Sequence, residues 1–236
     1  MSKRIVLCLL VLAGVRHPLY ADDELQKVEE RSTATVEFPS GGLLRLKNST
    51  GELIIQGWDK PDVEITTIKS RKDEYPPDER ENASRNLHQL QISVKREGQD
   101  LVITTTWSDP RLWGTLANVN VSYLIKAPRN ARLAIEHEKG EIYIDNMDSD
   151  IQASFKAGDL ILHLAQDGMY NIDAKSVYGR VQSVFPGREE RLPWLYGHKW
   201  SRQKIPSARN LRLRARFGDI VILKVEKPSP PEPMAH

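Results

Sequence analysis

A short phrase recurs along the chain, and its hydrophobic positions alternate on both sides of a glycine. A large aliphatic residue stands seven positions before the glycine, and an aliphatic residue stands two positions after it. Successive side chains of a strand point to opposite faces, so this alternation predicts two short strands joined at a tight corner. Glycine suits the corner because it accepts a positive φ. The corner glycines are Gly51, Gly140, Gly158, Gly179 and Gly218.

The shared register of these phrases predicts that they stack as equivalent units. From Gly140 onward the glycines are 18, 21 and 39 residues apart, and 39 is close to two of the shorter steps. A repeat near this length is typical of a β-solenoid, a single-stranded β-helix-like stack of repeats. An antiparallel β-sandwich or a meander of hairpins is the alternative, since it also alternates and turns at glycine. Both readings make the protein all-β.

Other signals divide the chain into regions. A short helical insertion is predicted near residues 78–88, with Asp78 as its cap, and a hairpin turn is predicted around Gly98. Four prolines make the last eleven residues a disordered tail. The predicted regions are a signal peptide (1–21), a linker (22–33), an N-terminal β region (34–126), a C-terminal repeated β-solenoid region (127–225) and the proline-rich tail (226–236).

The N-terminus has the pattern of a secretory signal. Lys3 and Arg4 precede an apolar core at residues 5–15, and a small residue, Ala21, marks a cleavage site. The only cysteine, Cys8, lies inside this segment, so the mature chain is expected to contain no disulfide. We therefore expect a periplasmic or cell-surface protein with no membrane span after cleavage of the signal. The alternative is an uncleaved membrane anchor, although Arg16 and His17 interrupt the apolar run.

Net charge gives no case for nucleic acid as a partner. Residues 1–21 contain three basic residues and no acidic ones, so removing them takes the formal net charge from +2 to −1.

A basic and aromatic interruption at residues 185–207, with the strand after it, is the main candidate for a binding site. Arginine forks pair with phosphate, sulfate or carboxylate, and aromatic faces stack on sugars. The alternative is a loop that caps the stack with its aromatic residues beside an ordinary solvated strand face. The candidate binding residues are Arg188, Arg191, Trp194, Tyr196, Trp200, Arg212, Arg214 and Arg216.

The residues that follow the corner glycines suggest a second possibility. Sequential stacking would place Glu141, Asp159 and Arg180 in one column, where carboxylates could act as an acid/base pair or bind a metal. The alternative is a polar corner in which Arg180 pairs with Asp159.

Metal sites receive little support from the sequence. Asp145, Asp148 and Asp150 share one connection that could bind calcium, but their spacing fits no full loop motif, and a plain turn is the alternative. The histidines show no metal-ligand spacing, and His137 is interpreted as part of a charged strand. We expect no metal, no cofactor and no catalytic residue.

The phrase resembles the bacterial "putative adhesin" domains of unknown function. Those are exported chains in which Gly-Asp-aliphatic phrases follow a strand that ends in proline. Here residues 119–128 form the strand, and phrases begin at Gly140, Gly158, Gly179 and Gly218. The chain departs from the pattern at Arg180, where the acidic residue is missing, and in the interruption at residues 185–207. The resemblance implies a β-solenoid or β-prism-like domain outside the cytoplasm, without enzymatic activity.

The sequence therefore predicts a non-enzymatic, exported, adhesin-like binding or structural module of the bacterial envelope. Its expected partner is an anionic glycan such as an envelope polysaccharide, or another surface protein. The alternative is a carbohydrate-active enzyme of the polysaccharide lyase kind, which would use the corner carboxylates.

Overall fold

The structure, a computed structural model, describes residues 25–108, 119–192, 196–202 and 205–225. The predicted signal peptide, the proline-rich tail and Trp194 lie outside these residues.

The described residues form seventeen strands and one helix, α1 (Arg80–Leu87). The strands are β1 (Gln26–Glu37), β2 (Leu43–Thr50), β3 (Glu52–Trp58), β4 (Asp62–Tyr75), β5 (Leu90–Glu97), β6 (Asp100–Trp107), β7 (Val119–Pro128), β8 (Arg132–Lys139), β9 (Ile142–Asp145), β10 (Ile151–Ala157), β11 (Leu160–Ala165), β12 (Tyr170–Tyr178), β13 (Val181–Ser183), β14 (Arg188–Arg191), β15 (His198–Ser201), β16 (Arg209–Phe217) and β17 (Ile220–Val225).

These strands build two mixed sheets, which confirms the all-β class. Sheet A has the order β1-β4-β7-β3-β9-β11-β17-β13, and sheet B has the order β14-β15-β12-β16-β10-β8-β2-β6-β5. Alternate residues of both sheets enter one hydrophobic core, as expected when each strand buries one face. Both predicted β regions contribute strands to both sheets and to this core.

Each phrase crosses from one sheet to the other at its glycine. The strand before the glycine lies in sheet B, the strand after it lies in sheet A, and neighbouring phrases pair in parallel. Leu133, Ile151 and Leu211, each seven residues before a glycine, lie side by side. The two-layer arrangement fits the sandwich alternative, although the phrases pair in parallel. A solenoid is not shown by the described residues.

The phrases do not stack in chain order. The copy at Gly218 lies between those at Gly158 and Gly179, because β16 pairs with β10 on one side and β12 on the other. After β13 the chain forms an antiparallel hairpin, β14 and β15, which extends sheet B beyond β12. It then returns to form β16. The expected column of Glu141, Asp159 and Arg180 is therefore wrong, since Asp219 stands between the last two.

The N-terminal elements match the sequence in part. The hairpin around Gly98 and the helix are confirmed, but Glu79 occupies the N-cap and makes no side-chain cap hydrogen bond, so Asp78 is not the cap. The helix spans eight residues, and no helix among the described residues is long and apolar enough to cross a membrane.

Strand β1 begins at Gln26, inside the region predicted to be a linker. It pairs with β4 at the edge of sheet A, and most of its residues are exposed. Its exposed first part is held mainly by backbone pairing, with side-chain contacts such as Glu30 with Lys69 and Thr33 with Thr66. That part needs no hydrophobic alternation, so the strand signal begins only near residue 34.

The corner glycines form a column of direct backbone contacts. Gly158 has a φ of 121°, and a Cβ added there would lie 1.9 Å from the carbonyl oxygen of Gly140. A Cβ added at Gly218 would lie 1.7 Å from the oxygen of Gly158. The Gly158 amide donates a hydrogen bond to the Phe217 carbonyl at 3.1 Å, so the sheet ladder continues to the corner. Only a residue without a side chain permits this approach.

His137 is a buried polar group in this core. It is 2% exposed, and its Nδ1 lies 2.9 Å from Ser49 Oγ. Its Nε2 is buried without a partner among the described residues. Burial lowers the pKa of His137 from 6.5 to about 4, because desolvation penalises the charged ring. His137 thus lies between Glu136 and Glu138 on strand β8, but its own side chain faces the core.

Replacing Gly158 with alanine should destabilise the protein by more than about 4 kcal/mol, because a backbone oxygen occupies the place of the new methyl group. The matched control is Gly98→Ala. Gly98 also has a positive φ, 65°, but a Cβ there meets nothing within 4 Å. That change should cost about 1 kcal/mol. Denaturant unfolding measures both, and equal losses would contradict the packing argument.

Stability should fall as the pH is lowered from about 6.5 towards 4. In this window the unfolded chain protonates His137 and the folded chain does not, so the unfolded state binds more protons. The contribution is about 3 kcal/mol, present above pH 6.5 and lost near pH 4. In His137→Leu, the free energy of unfolding should not show this fall between pH 6.5 and 4. His88→Gln, a change at an exposed histidine, should retain it; a slope unchanged in His137→Leu would refute the assignment.

Candidate functional site

Strand β16 carries a row of arginines on the outward face of sheet B. Leu211, Leu213 and Ala215 are buried in the core, so the residues between them face solvent. The strand is one of six consecutive strands of sheet B that are parallel to one another. The alternation places Arg212 and Arg214 on one surface, and Arg216 follows them towards the corner.

The three guanidinium groups differ in their partners. Arg214 donates a hydrogen bond to the Asp173 carbonyl at 2.7 Å and forms an ion pair with the Asp173 carboxylate. The Arg216 guanidinium carbon lies 5.5 Å from the ring centroid of Phe217. Arg212 is exposed and has no hydrogen-bond or ion-pair partner among the described residues. Arg212 and Arg216 are therefore available to an anionic ligand.

A groove of about 520 Å³ lies on this face. One row of residues paired across neighbouring strands crosses the groove. The row runs from Arg45 on β2 through Ala134 on β8 and Gln152 on β10 to Arg212 on β16. Ala134 is the shortest side chain in this row, and longer side chains stand on both sides of it, so the surface is lowered there. Arg132, two residues before Ala134, adds a third guanidinium to the lining.

The charges around the groove leave it mainly basic. Arg45 lies 3.8 Å from Asp100, a loose ion pair, and Arg132 donates to a backbone carbonyl at 3.0 Å. Asp150, on the lining, uses Oδ1 to accept the Asn210 backbone amide at 2.6 Å. Glu136 is the other acidic residue of the lining. The groove thus suits a ligand with carboxylate or sulfate groups.

The hairpin β14–β15 lies at the end of sheet B and, with its described flanking residues, contains Arg188, Arg191, Tyr196 and Trp200. Trp200 is 5% exposed, and it packs against Gly187, where an added Cβ would lie 2.0 Å from its ring. Its ring is therefore part of the core and offers no face to a ligand. Tyr196, in contrast, is 92% exposed.

The charged residues of the hairpin lie away from those of β16. Two strands, β15 and β12, separate β14 from β16, so Arg188 and Arg191 do not join the arginine row. Arg188 Nε is 3.4 Å from Glu190, and His198 Nδ1 is 2.7 Å from Glu189. The structure thus brings together Arg212, Arg214 and Arg216 but not the full predicted set.

The acidic residues at the corners bind backbone amides of the neighbouring phrase. Asp159 Oδ1 accepts the Asp219 amide at 2.7 Å, and Asp219 Oδ1 accepts the Arg180 amide at 2.7 Å. The expected pairing of Arg180 with Asp159 is not formed. Glu141 accepts a hydrogen bond from the Tyr143 hydroxyl, and this bond raises the pKa of Tyr143. Asp159 and Asp219 thus link neighbouring phrases, a structural task, whereas Glu141 bonds within its own phrase.

The three aspartates of the predicted calcium turn face different partners. Asp145 lies 2.7 Å from His163 Nδ1, Asp148 lies 2.6 Å from Arg209 Nη2, and Asp150 accepts the amide described above. Among the described residues, no group of three His, Cys, Asp or Glu side chains could hold a metal ion. The geometry is that of a plain turn.

Two aromatic residues at the corners were missed in the sequence. Tyr178 and Phe217 are 41% and 46% exposed and stack with ring centroids 4.9 Å apart and planes 9° from parallel. Each stands immediately before a corner glycine, Gly179 or Gly218, a position that the phrase leaves unspecified. The signal was the repetition of an aromatic residue at this position in two copies.

No protein-family model and no curated protein gives a significant match to the chain. Among solved structures, the fold is similar to a "putative cell adhesion protein" from Clostridium sporogenes, with 13% identity and a TM-score of 0.50. The alignment covers 83% of this chain and 100% of that one. A "putative adhesin" from Bacteroides fragilis aligns over 82% of this chain and 97% of its own, at 10% identity and a TM-score of 0.24. At these identities the likeness concerns the fold alone.

Proposed function

We propose that this protein is a non-enzymatic, exported, adhesin-like binding module of the bacterial envelope that recognises an anionic glycan. The outward face of sheet B would bind the glycan through the groove and the arginine row. The observation that carries the proposal is Arg212, an exposed guanidinium at the groove wall without a partner among the described residues.

The chemistry of the groove favours a chain of acidic sugars over a compact anion. Arg45 and Arg212 stand at opposite sides of Ala134, three strands apart, or about 14 Å between backbones. Guanidinium groups at that separation can pair with carboxylates or sulfates on successive sugars of a polymer. Gln152 and Ser154 between them supply neutral hydrogen-bonding groups for sugar hydroxyls.

The corner carboxylates of Asp159 and Asp219 have a structural role, which favours a binding module over an enzyme. Asp159 and Asp219 each use an oxygen to hold the backbone of the next phrase, which explains their position without an acid/base task. The alternative, a carbohydrate-active enzyme of the polysaccharide lyase kind, would need these groups directed at a bound sugar.

Export is supported by the N-terminal charged and apolar pattern and by the lack of cysteine after Cys8. The fold's likeness to a protein described as a putative cell adhesion protein is compatible with a place at the envelope.

The protein lacking residues 1–21 should be retained on an acidic polysaccharide such as polygalacturonate, and retention should weaken as salt is raised. Arg212→Gln should weaken binding by about tenfold, the effect of losing one charge-assisted contact. Affinity electrophoresis or calorimetry measures the change.

The matched control is Arg31→Gln, which removes the same charge from exposed strand β1 on the other sheet. Equal losses in the two variants would reduce the effect to net charge and would contradict a built site. If the protein cleaves the polysaccharide, and Asp159→Asn or Asp219→Asn abolishes cleavage, the protein is an enzyme instead.

A further inference from the structure

Three exposed aromatic residues follow one another at the corner where β16 and β12 end. Phe217 pairs in register with Tyr178, and the two rings stack. Gly197 forms an isolated bridge with Gly179, so Tyr196, just before Gly197, lies in the adjoining segment and is exposed. Large exposed rings are costly on a free surface, and such clusters commonly mark binding sites.

The aromatic row ends at Ala157. This residue pairs in register with Phe217 on one side and with Lys139 on the other. Tyr178 covers one face of the Phe217 ring, and the opposite face is directed towards the strand of Ala157. A ring placed one strand spacing beyond Phe217, about 4.8 Å, would lie directly above the Ala157 methyl group. The short side chain thus leaves a slot between Phe217 and Lys139.

Cations border this slot. Lys139 is exposed and has no side-chain partner among the described residues. The Arg216 guanidinium carbon is 5.5 Å from the Phe217 centroid and forms no ion pair within the described part of the chain. By contrast Lys156, on the strand of Ala157, forms an ion pair with Glu138. The slot therefore joins the Phe217 ring, over which the exposed Arg216 guanidinium lies, to a second exposed cation, Lys139.

We infer that this slot binds one pyranose ring of an anionic sugar residue. The apolar face of the sugar would stack on Phe217, and its carboxylate or sulfate would pair with Arg216 and Lys139. An aromatic wall combined with a few placed polar groups is the usual composition of a small-molecule site. The charges favour an acidic sugar over a neutral one, and over an apolar protein surface.

This inference rests on the proposed glycan recognition and extends it along β16. Arg212, at the groove, and Arg216, at the slot, are four residues apart, about 13 Å along an extended strand. Arg214 lies between them. The groove and the slot would then bind different sugars of one acidic chain, and the slot would select for a ring with an exposed apolar face.

Filling the slot provides the sharpest test. In Ala157→Phe the new ring should occupy the slot and stack on Phe217, so that stability is retained and affinity for oligogalacturonate falls about tenfold. Phe217→Leu should also weaken binding by about fivefold to tenfold, whereas Phe217→Trp, which keeps an aromatic face, should bind as the unaltered protein does. Calorimetry measures affinity, and thermal melting checks the fold.

The control is Tyr143→Leu, which removes a ring from the outward side of sheet A and should leave affinity unchanged. If Ala157→Phe and Phe217→Leu bind as tightly as the unaltered protein, the slot is overturned. The groove would still stand in that case, because Arg212→Gln tests it separately. Undiminished binding by the double variant Lys139→Gln, Arg216→Gln would overturn the pairing with an acidic sugar. Failure of the unaltered protein to bind acidic glycans would remove both proposals.

Discussion

Backbone-to-backbone contact at the glycine column is the constraint on which the rest of the structure depends. Each corner glycine lies against the carbonyl of the preceding one in the stack, as at Gly140, Gly158 and Gly218. Parallel strands on both sides of the corner can therefore keep their hydrogen bonds through the change of sheet. The acidic residue after the glycine adds a bond to the next amide, as Asp219 does for Arg180. The two layers are held in common register by this line of contacts.

The same constraint decides which side chains of the stack are free to vary. Inside the stack, every equivalent position has a neighbour of its own kind, so that Leu133, Ile151 and Leu211 form a continuous core row. On the outward side the rows need not be uniform. Ala134 is a short side chain on the outward face and leaves a recess beside arginine. Ala157 stands at the corner end of a core-facing row, where it is short beside the exposed Phe217.

The fold could be predicted where physical signals are local. Alternation and the positive-φ glycines identified the strand pairs, and Gly98 identified a hairpin. Strand β1 gave no signal before residue 34 because backbone pairing is the main contact of its exposed part. The order of the phrases in the stack depends on which strand edges pair with each other. The spacing between Gly179 and Gly218 does not determine that pairing. The arginines of β16 followed from alternation, but the grouping of Arg45 with Arg212, and the burial of Trp200, required the tertiary arrangement.

The order of the stack has a consequence for how the chain assembles. Strand β16 follows β12 in sequence but stands between β10 and β12 in sheet B. The segment that contains β12, β13 and the hairpin therefore has no place on the growing sheets until the later strands β16 and β17 are available. Such non-local pairing slows folding and makes it cooperative. A chain of this topology would keep the edges formed by β10 and β11 open until its last strands are available.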